Sequence, residues 1–548
     1  MPPPLTNPLA KQLDDISPLI DSLRAVSGAP GLSVGVIHNY KILHESYHGH
    51  RDVTKGLKVD RDTMFYVAPL TKAITATALG ILVDDGLLQW TTPVHRILPK
   101  MSQDSELYSA KLTVLDILRH RTGKACADAL FLQSNNDIKK QDVIPIFDHL
   151  AQVEPVRSTY MYNDHAYNIA NLVIEKVSEQ SWGDFVDLKI FKPLGMTRSF
   201  IYRPSDDNVA LPYNILTNKE PWPLPLIQTS RDTLMLAGQV RTSITDLLKY
   251  SKANLQALST ITPRGPLQKV TKIKPMLPNN PIREISTIMR PHIAHHTESI
   301  LERTCAIGWN RTVLPGSLDF GWNKQILGHF PELGQRYPGK LVIWHGGNMP
   351  GSTAAMCLVP ETGTAVVILQ NSLGLCDVAD WACQSILDTI FLGNPAQDYF
   401  ALALKCAQKS VTRMELVEQK LSEERILGTE PRPLILFCGR YFNRISKWFM
   451  DISQGTGQEA LHVKFLGLDS EKYYLRHYHH NTFTWNLTYD EMAKRGQYIR
   501  DHEYYKLTFE LDSEGEVEFL RWKHDKSVPE GELFCRAWGP RALPNSVE

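Results

Sequence analysis

The sequence predicts an α+β domain followed by a separate all-β domain. Three observations carry that prediction. The first is length: 548 residues exceed what one compact core organises, so two domains are the default. The second is the order of hydrophobic patterns from Gly28 to Leu392. Strand-like runs come first, then a block of helix-period segments, then further strand-like runs and a closing helix. The third is a change of texture after "GTEPRP" (Gly428 to Pro433), beyond which aromatic, alternating runs separated by turns dominate.

Residues 1–14 read as an N-terminal extension and 15–395 as the main domain, with an amphipathic helix over 12–26. "GLSVGVI" and "KILHESY" read as strands joined by a His-Asn-Tyr turn, a hairpin signal. From Leu70 to Val83 the apolar residues Ile74, Ala78, Leu79, Leu82 and Val83 fall at helical spacing, and "DDG" (Asp84 to Gly86) fits the helix end. Further helices are expected over Lys111–Gly123, in two pieces around Ser181-Trp182-Gly183, and over Thr242–Leu258. These place a helical subdomain at about 70–240. Residues 259–300, rich in Pro, Thr and His, read as a long loop or insertion. "KLVIWHGGNMPGSTAAMCLVPETGTAVVILQNS" (Lys340 to Ser372) contains three strand-like segments, and Asp377–Leu392 a closing helix. Residues 396–434 read as a helical linker, and 435–548 as a C-terminal sandwich or small, lipocalin-like barrel with a hairpin loop at "DSEGE".

Composition narrows the function classes. The apolar fraction is 43% and the charged fraction 22%, as in ordinary soluble globular proteins. Lys+Arg and Asp+Glu are both 59, so no global basic field favours nucleic acid or an anionic membrane. The Pro-rich start lacks a basic n-region and does not read as a secretory signal. No run approaches 18 apolar residues, so no membrane span is expected. Eight scattered cysteines without a CxxC pair read as reduced, mostly buried thiols of a cytoplasmic protein. "PHIAHH" and "RHYHH" are His-rich, but no nearby carboxylate or Cys completes a ligand set, so no metal is expected. No P-loop or dinucleotide fingerprint is present and no cofactor is expected. The expected partners are a small-molecule substrate or ligand, and further copies of the chain in a homo-oligomer.

The chemistry-bearing pieces are "VAPLTKAITA", "LRHRTG", "YMYNDHAY" (Tyr160 to Tyr167), "AIGWN" (Ala306 to Asn310) and "WHGGNMPG" (Trp344 to Gly351). In that order, over roughly residues 15–395, they resemble the serine β-lactamase and penicillin-binding-protein-like family, in its class C-like esterase and transesterase branch with fungal acyltransferases. The resemblance implies a β-lactamase/transpeptidase-like fold: an antiparallel sheet flanked by helices, plus a helical subdomain. It also implies three working parts. A Ser at the helix start attacks a carbonyl. A Lys three residues on, or a Tyr near it, takes the proton. A third strand supplies a Lys or His followed by small residues, where backbone N–H groups form an oxyanion hole.

By that resemblance Lys72, Tyr162 and His345 are the candidate catalytic residues. Pro69, Asp164, Gly346 and Gly347 are the candidate substrate-binding residues. Lys72, Tyr162 and His345 each have a plainer explanation: a solvated helix lysine, a core tyrosine, a strand-end histidine before a turn. Two departures stand out. Pro69 occupies the serine position and offers neither hydroxyl nor thiol. No lysine in the chain has a Ser three residues before it; Thr271-x-x-Lys274 and Cys406-x-x-Lys409 are the nearest substitutes. Asp164 stands where the resemblance implies Asn, and an Asp beside Lys72 would favour the charged ammonium, making a poorer base and a better anion-holder.

Three readings remain open. One is an enzyme acting on an ester, lactone or related carbonyl compound by non-covalent acid/base chemistry. Another is a pseudoenzyme that binds a ligand or protein. The third is a conventional esterase or transesterase.

Overall fold

The computed structural model describes residues 7–101, 112–129, 139–202, 208–227, 230–232, 238, 240–261, 279–295, 301–455 and 461–537. Thr271, Lys274 and His296 lie outside these, as does much of the expected insertion.

A nine-stranded sheet organises the main domain. Its strand order is Leu57–Lys58, Lys41–Asp52, Gly31–His38, Thr364–Gln370, Ser352–Val359, Leu341–Met349, Asn310–Val313, Arg303–Cys305, Ile293–Ala294. The pairings inside it are antiparallel. The His-Asn-Tyr hairpin forms as expected, with Asn39 and Tyr40 both at positive φ, which matches strand twist in a two-residue turn.

The central strands are buried on both faces and therefore apolar throughout. Their alternation separates two cores. Ala355, Cys357, Val359, Val366 and Ile368 face the helices Pro8–Asp15, Ser17–Ser27 and Val378–Leu392. Ala354, Met356, Leu358, Val367 and Leu369 face Ile244–Leu258 and the helical subdomain.

The helix predicted from Leu70 runs over Thr71–Asp84, preceded by a 3₁₀ turn at Ala68–Leu70. Nearly all of it is buried, which explains why its apolar residues are not confined to one stripe. Of the segment expected to be helical over Lys111–Gly123, the described residues are helical over Val114–Leu118. Thr113 and Asp116 form its capping box, and His120, just past its C-cap Arg119, has φ +55°. The stretch around Trp182 is capped by Ser181 and passes through a π turn, Asp187–Phe191.

Residues 399–424 form two helices, Tyr399–Val411 and Arg413–Glu424. The first packs on Ser17–Ser27, with Ala403 and Cys406 buried. The C-terminal region is a closed antiparallel barrel of eight strands between Gly439 and Arg536. "DSEGE" forms the expected hairpin loop between Lys506–Leu511 and Val517–Trp522. The barrel is fastened to the main domain. Asp525 accepts the Ala127 N–H at 2.7 Å, the Asn214 amide donates to the Ala493 carbonyl at 2.9 Å, and the Tyr498 hydroxyl donates to the Asn348 carbonyl at 3.2 Å. No helix among the described residues is long and apolar enough to cross a membrane.

Candidate active site

A cleft of about 1280 Å³ lies between the helical subdomain, the strand Leu341–Met349 and the barrel. It exceeds the usual range for drug-sized ligands, roughly 300–1,000 Å³. Pro69, Tyr162, Asp164, His345 and Gly346 all line it. Segments far apart in sequence, now adjacent, bring them there: the turn before Thr71–Asp84, the N-terminus of the helix Asp164–Ser178, and the sheet.

The turn at Ala68-Pro69 is strained. Ala68 has φ +49°, a left-handed conformation that costs a non-glycine residue about 1 kcal/mol or more. Such strain collects at functional sites. Pro69 lines the cleft next to it and carries neither a side-chain donor nor a backbone N–H. The nearby hydroxyls are committed elsewhere: Thr71 Oγ accepts the Val240 N–H at 3.4 Å, and Thr75 Oγ donates to Asn171 at 3.1 Å. Cys406 is buried with its thiol on Asn323, while Lys409 reaches the Leu327 carbonyl, and neither lines the cleft.

Lys72 is fully buried and sits one layer behind the cleft wall. Its ammonium is ion-paired with Asp164 and lies 4.7 Å from the Tyr162 ring centroid and 5.5 Å from that of Tyr167. Burial, and next the Asp164 charge, push the Tyr162 phenol well above its ordinary range, so Tyr162 is a neutral O–H donor. The His345 Nδ1 donates to the Gly346 carbonyl at 2.6 Å. Burial, and next Lys72, bring His345 down to about 4, so the ring is neutral and Nε2 is left as an acceptor.

The double glycine has a steric reason. A Cβ on Gly346 would stand 1.5 Å from the Phe320 carbonyl oxygen, and one on Gly347 2.4 Å from the Val67 oxygen. Only glycine lets this strand approach both the Phe320 segment and the turn that carries Pro69.

Several site residues escaped the sequence reading. His120, inside "LRHRTG", stacks on Tyr162 at 4.5 Å and 28°. Its Nδ1 accepts the Asn163 N–H at 3.0 Å, and burial holds it neutral, well below the usual range. Tyr160 lines the cleft and meets His295 edge-on at 4.6 Å. Asp128 lines it too, and the Cys126 thiol donates to it at 2.8 Å. Burial, and next Asp164, raise Asp128 to about 6. The barrel supplies the opposite wall, with Tyr498, Arg500, Lys494 and Arg495. No local motif announces Asp128 or the barrel wall; both depend on tertiary closure.

Two clusters among the described residues have donor atoms close enough to hold a cation: Cys126, Asp128 and Asp164, and Glu424, His502 and Glu503. In the first, the Lys72 ammonium already occupies one side of Asp164. In the second, Lys506 pairs with both glutamates.

The Beta-lactamase family model matches residues 16–382, and the chain belongs to that family. A second model, described as a domain of unknown function, DUF3471, matches 427–534, the region of the barrel. An unguisins hydrolase of Aspergillus campestris is 26% identical over 63% of this chain and 58% of its own length. One from Aspergillus violaceofuscus is 26% identical over 68% of this chain and 63% of its own. The chain thus spans about three fifths of these fungal relatives. The octameric penicillin-binding protein homologue from Pyrococcus abyssi shares the fold, with TM-score 0.55 and 18% identity over 95% of this chain and 99% of that one.

Proposed function

We propose that the chain is a hydrolase of small-molecule metabolism that acts on an ester, lactone or related carbonyl compound by non-covalent acid/base chemistry. One observation carries this reading. A proton donor, Tyr162, an acceptor, His345 Nε2, and the Asp164 carboxylate, paired with Lys72 behind the wall, line one cleft together with Pro69, which stands where the family resemblance implies a serine. Pro69 removes two groups at once, the hydroxyl of a serine and the backbone N–H that any other residue would offer to an oxyanion. Water is then the nucleophile. Tyr162 donates a hydrogen bond to the developing oxyanion, and the Lys72 charge behind it favours negative charge in the cleft. The names of the fungal relatives, unguisins hydrolases, support hydrolysis. The volume of the cleft supports a substrate larger than a typical drug-sized ligand.

The burial of Lys72 favours a second reading, a ligand-binding module without turnover. The two separate in one experiment. Turnover of p-nitrophenyl esters and aryl lactones by the wild-type protein, abolished in the Lys72→Ala, Tyr162→Phe double variant, supports the hydrolase. Unchanged turnover in that variant refutes it, and binding without turnover leaves the module.

A further inference from the structure

We infer that Asp128 is the general base that activates the hydrolytic water, with the Lys72–Asp164 ion pair as its positioning partner. The inference rests on the hydrolase reading and gives it the base that the lost serine chemistry leaves open.

The geometry comes first. Asp128 and Asp164 both line the cleft, and one oxygen of each, with the Cys126 sulfur, lies within 4.8 Å of the others. A single water making two hydrogen bonds of about 2.8 Å spans that gap. The pair is asymmetric. Asp164 is ion-paired with the buried Lys72, whereas Asp128 has no lysine or arginine within ion-pair distance among the described residues. A second cleft group is poised for a ligand. His345 is only 7% exposed, and its Nε2 has no hydrogen-bond partner among the described residues.

The groups facing Asp128 are Asp164, Arg500, Cys126 and Asp525. Burial and the Asp164 charge raise its affinity for a proton, and Arg500 partly offsets them. The result, about 6, is near the working range of a general base. Lys72 cannot take that role, because it is paired with Asp164 and does not line the cleft. Tyr162 cannot either, because its phenol is kept neutral.

The step balances as follows. The water oxygen bonds to the carbonyl carbon as Asp128 takes one water proton. The carbonyl π pair moves to oxygen, which accepts a hydrogen bond from Tyr162. The tetrahedral intermediate then expels the alkoxide, which takes the proton from Asp128. An acid and an alcohol leave, and the Asp128 carboxylate is restored.

The test uses the full chain and p-nitrophenyl butyrate, with carboxyl titration by NMR on protein labelled with ¹³C-aspartate. Asp128→Asn is expected to lower kcat at least 100-fold with KM within threefold, and to remove an acid limb of the rate profile near pH 6. The Asp128 signal is expected to titrate near 6 and to move down in Asp164→Asn. If Asp128→Asn keeps its turnover or its acid limb, the assignment is overturned while the hydrolase reading stands. If the wild-type protein shows the titration but no turnover, both fall. Loss of turnover on chelation with recovery on adding Zn²⁺ also overturns it, because Cys126, Asp128 and Asp164 would then be metal ligands.

Discussion

The Lys72 ammonium is ion-paired with the Asp164 carboxylate behind the ring of Tyr162, with no exposure to solvent of its own. Taking one member away leaves a buried charge without compensation. Asp164→Leu is therefore expected to destabilise the fold by about 3–5 kcal/mol. Replacing both, Lys72→Met with Asp164→Leu, is expected to recover most of that loss. Apparent melting temperatures of the three proteins check this, with the double variant above Asp164→Leu.

Pro69→Ser is compatible with the helix start and restores both a hydroxyl and a backbone N–H. On its own it is expected to gain little ester hydrolysis, because Lys72 is engaged in the ion pair with Asp164 and is not free to act as a base. Adding Asp164→Asn is expected to raise acylation by a serine-directed phosphonate probe at least tenfold over Pro69→Ser. Equal labelling rates would show that the ion pair does not control Lys72.

Gly346→Ala puts a methyl group against the Phe320 backbone, which cannot rotate away as a side chain could. The expected cost is about 1–3 kcal/mol, together with a strand pushed off the Pro69 turn and a loss of turnover. Denaturant midpoints and kcat/KM measured on the same preparation check both.

Much of this fold is legible in the residues. The hairpin at Asn39-Tyr40, the helix from Thr71, the three strands after Lys340 and the shift to β structure after Pro433 each carry a local period or turn signal. Short motifs single out Lys72, Tyr162 and His345 as candidates, and the need for close approach singles out Gly346-Gly347. What was not legible depends on tertiary closure. The helix expected to continue ends at Leu118, and His120 just beyond it adopts a left-handed conformation and stacks on Tyr162. Asp128 becomes a site residue because the fold sets it beside Asp164, more than thirty residues away. The barrel wall at Tyr498 and Arg500 belongs to the cleft only because the C-terminal region folds back over it.

His165 gives a pH prediction. It is buried, and burial lowers it to about 4 in the folded chain, against 6.5 in the unfolded one. Between these values the unfolded chain binds the extra proton. The stabilisation from His165 is therefore complete above pH 6.5 and is lost as pH falls toward 4, with a slope of about 1.4 kcal/mol per pH unit at most. His165→Gln is expected to flatten the acid side of the stability profile over that window. Parallel profiles for the two proteins would contradict the linkage.

The central claim is that this cleft hydrolyses its substrate without a covalent acyl-enzyme. Intact-mass spectrometry of the wild-type protein, quenched during turnover of p-nitrophenyl butyrate, tests it most directly. The account predicts product release with the protein mass unchanged at every time point. A butyryl adduct that forms and decays at the turnover rate, on any residue, would contradict it.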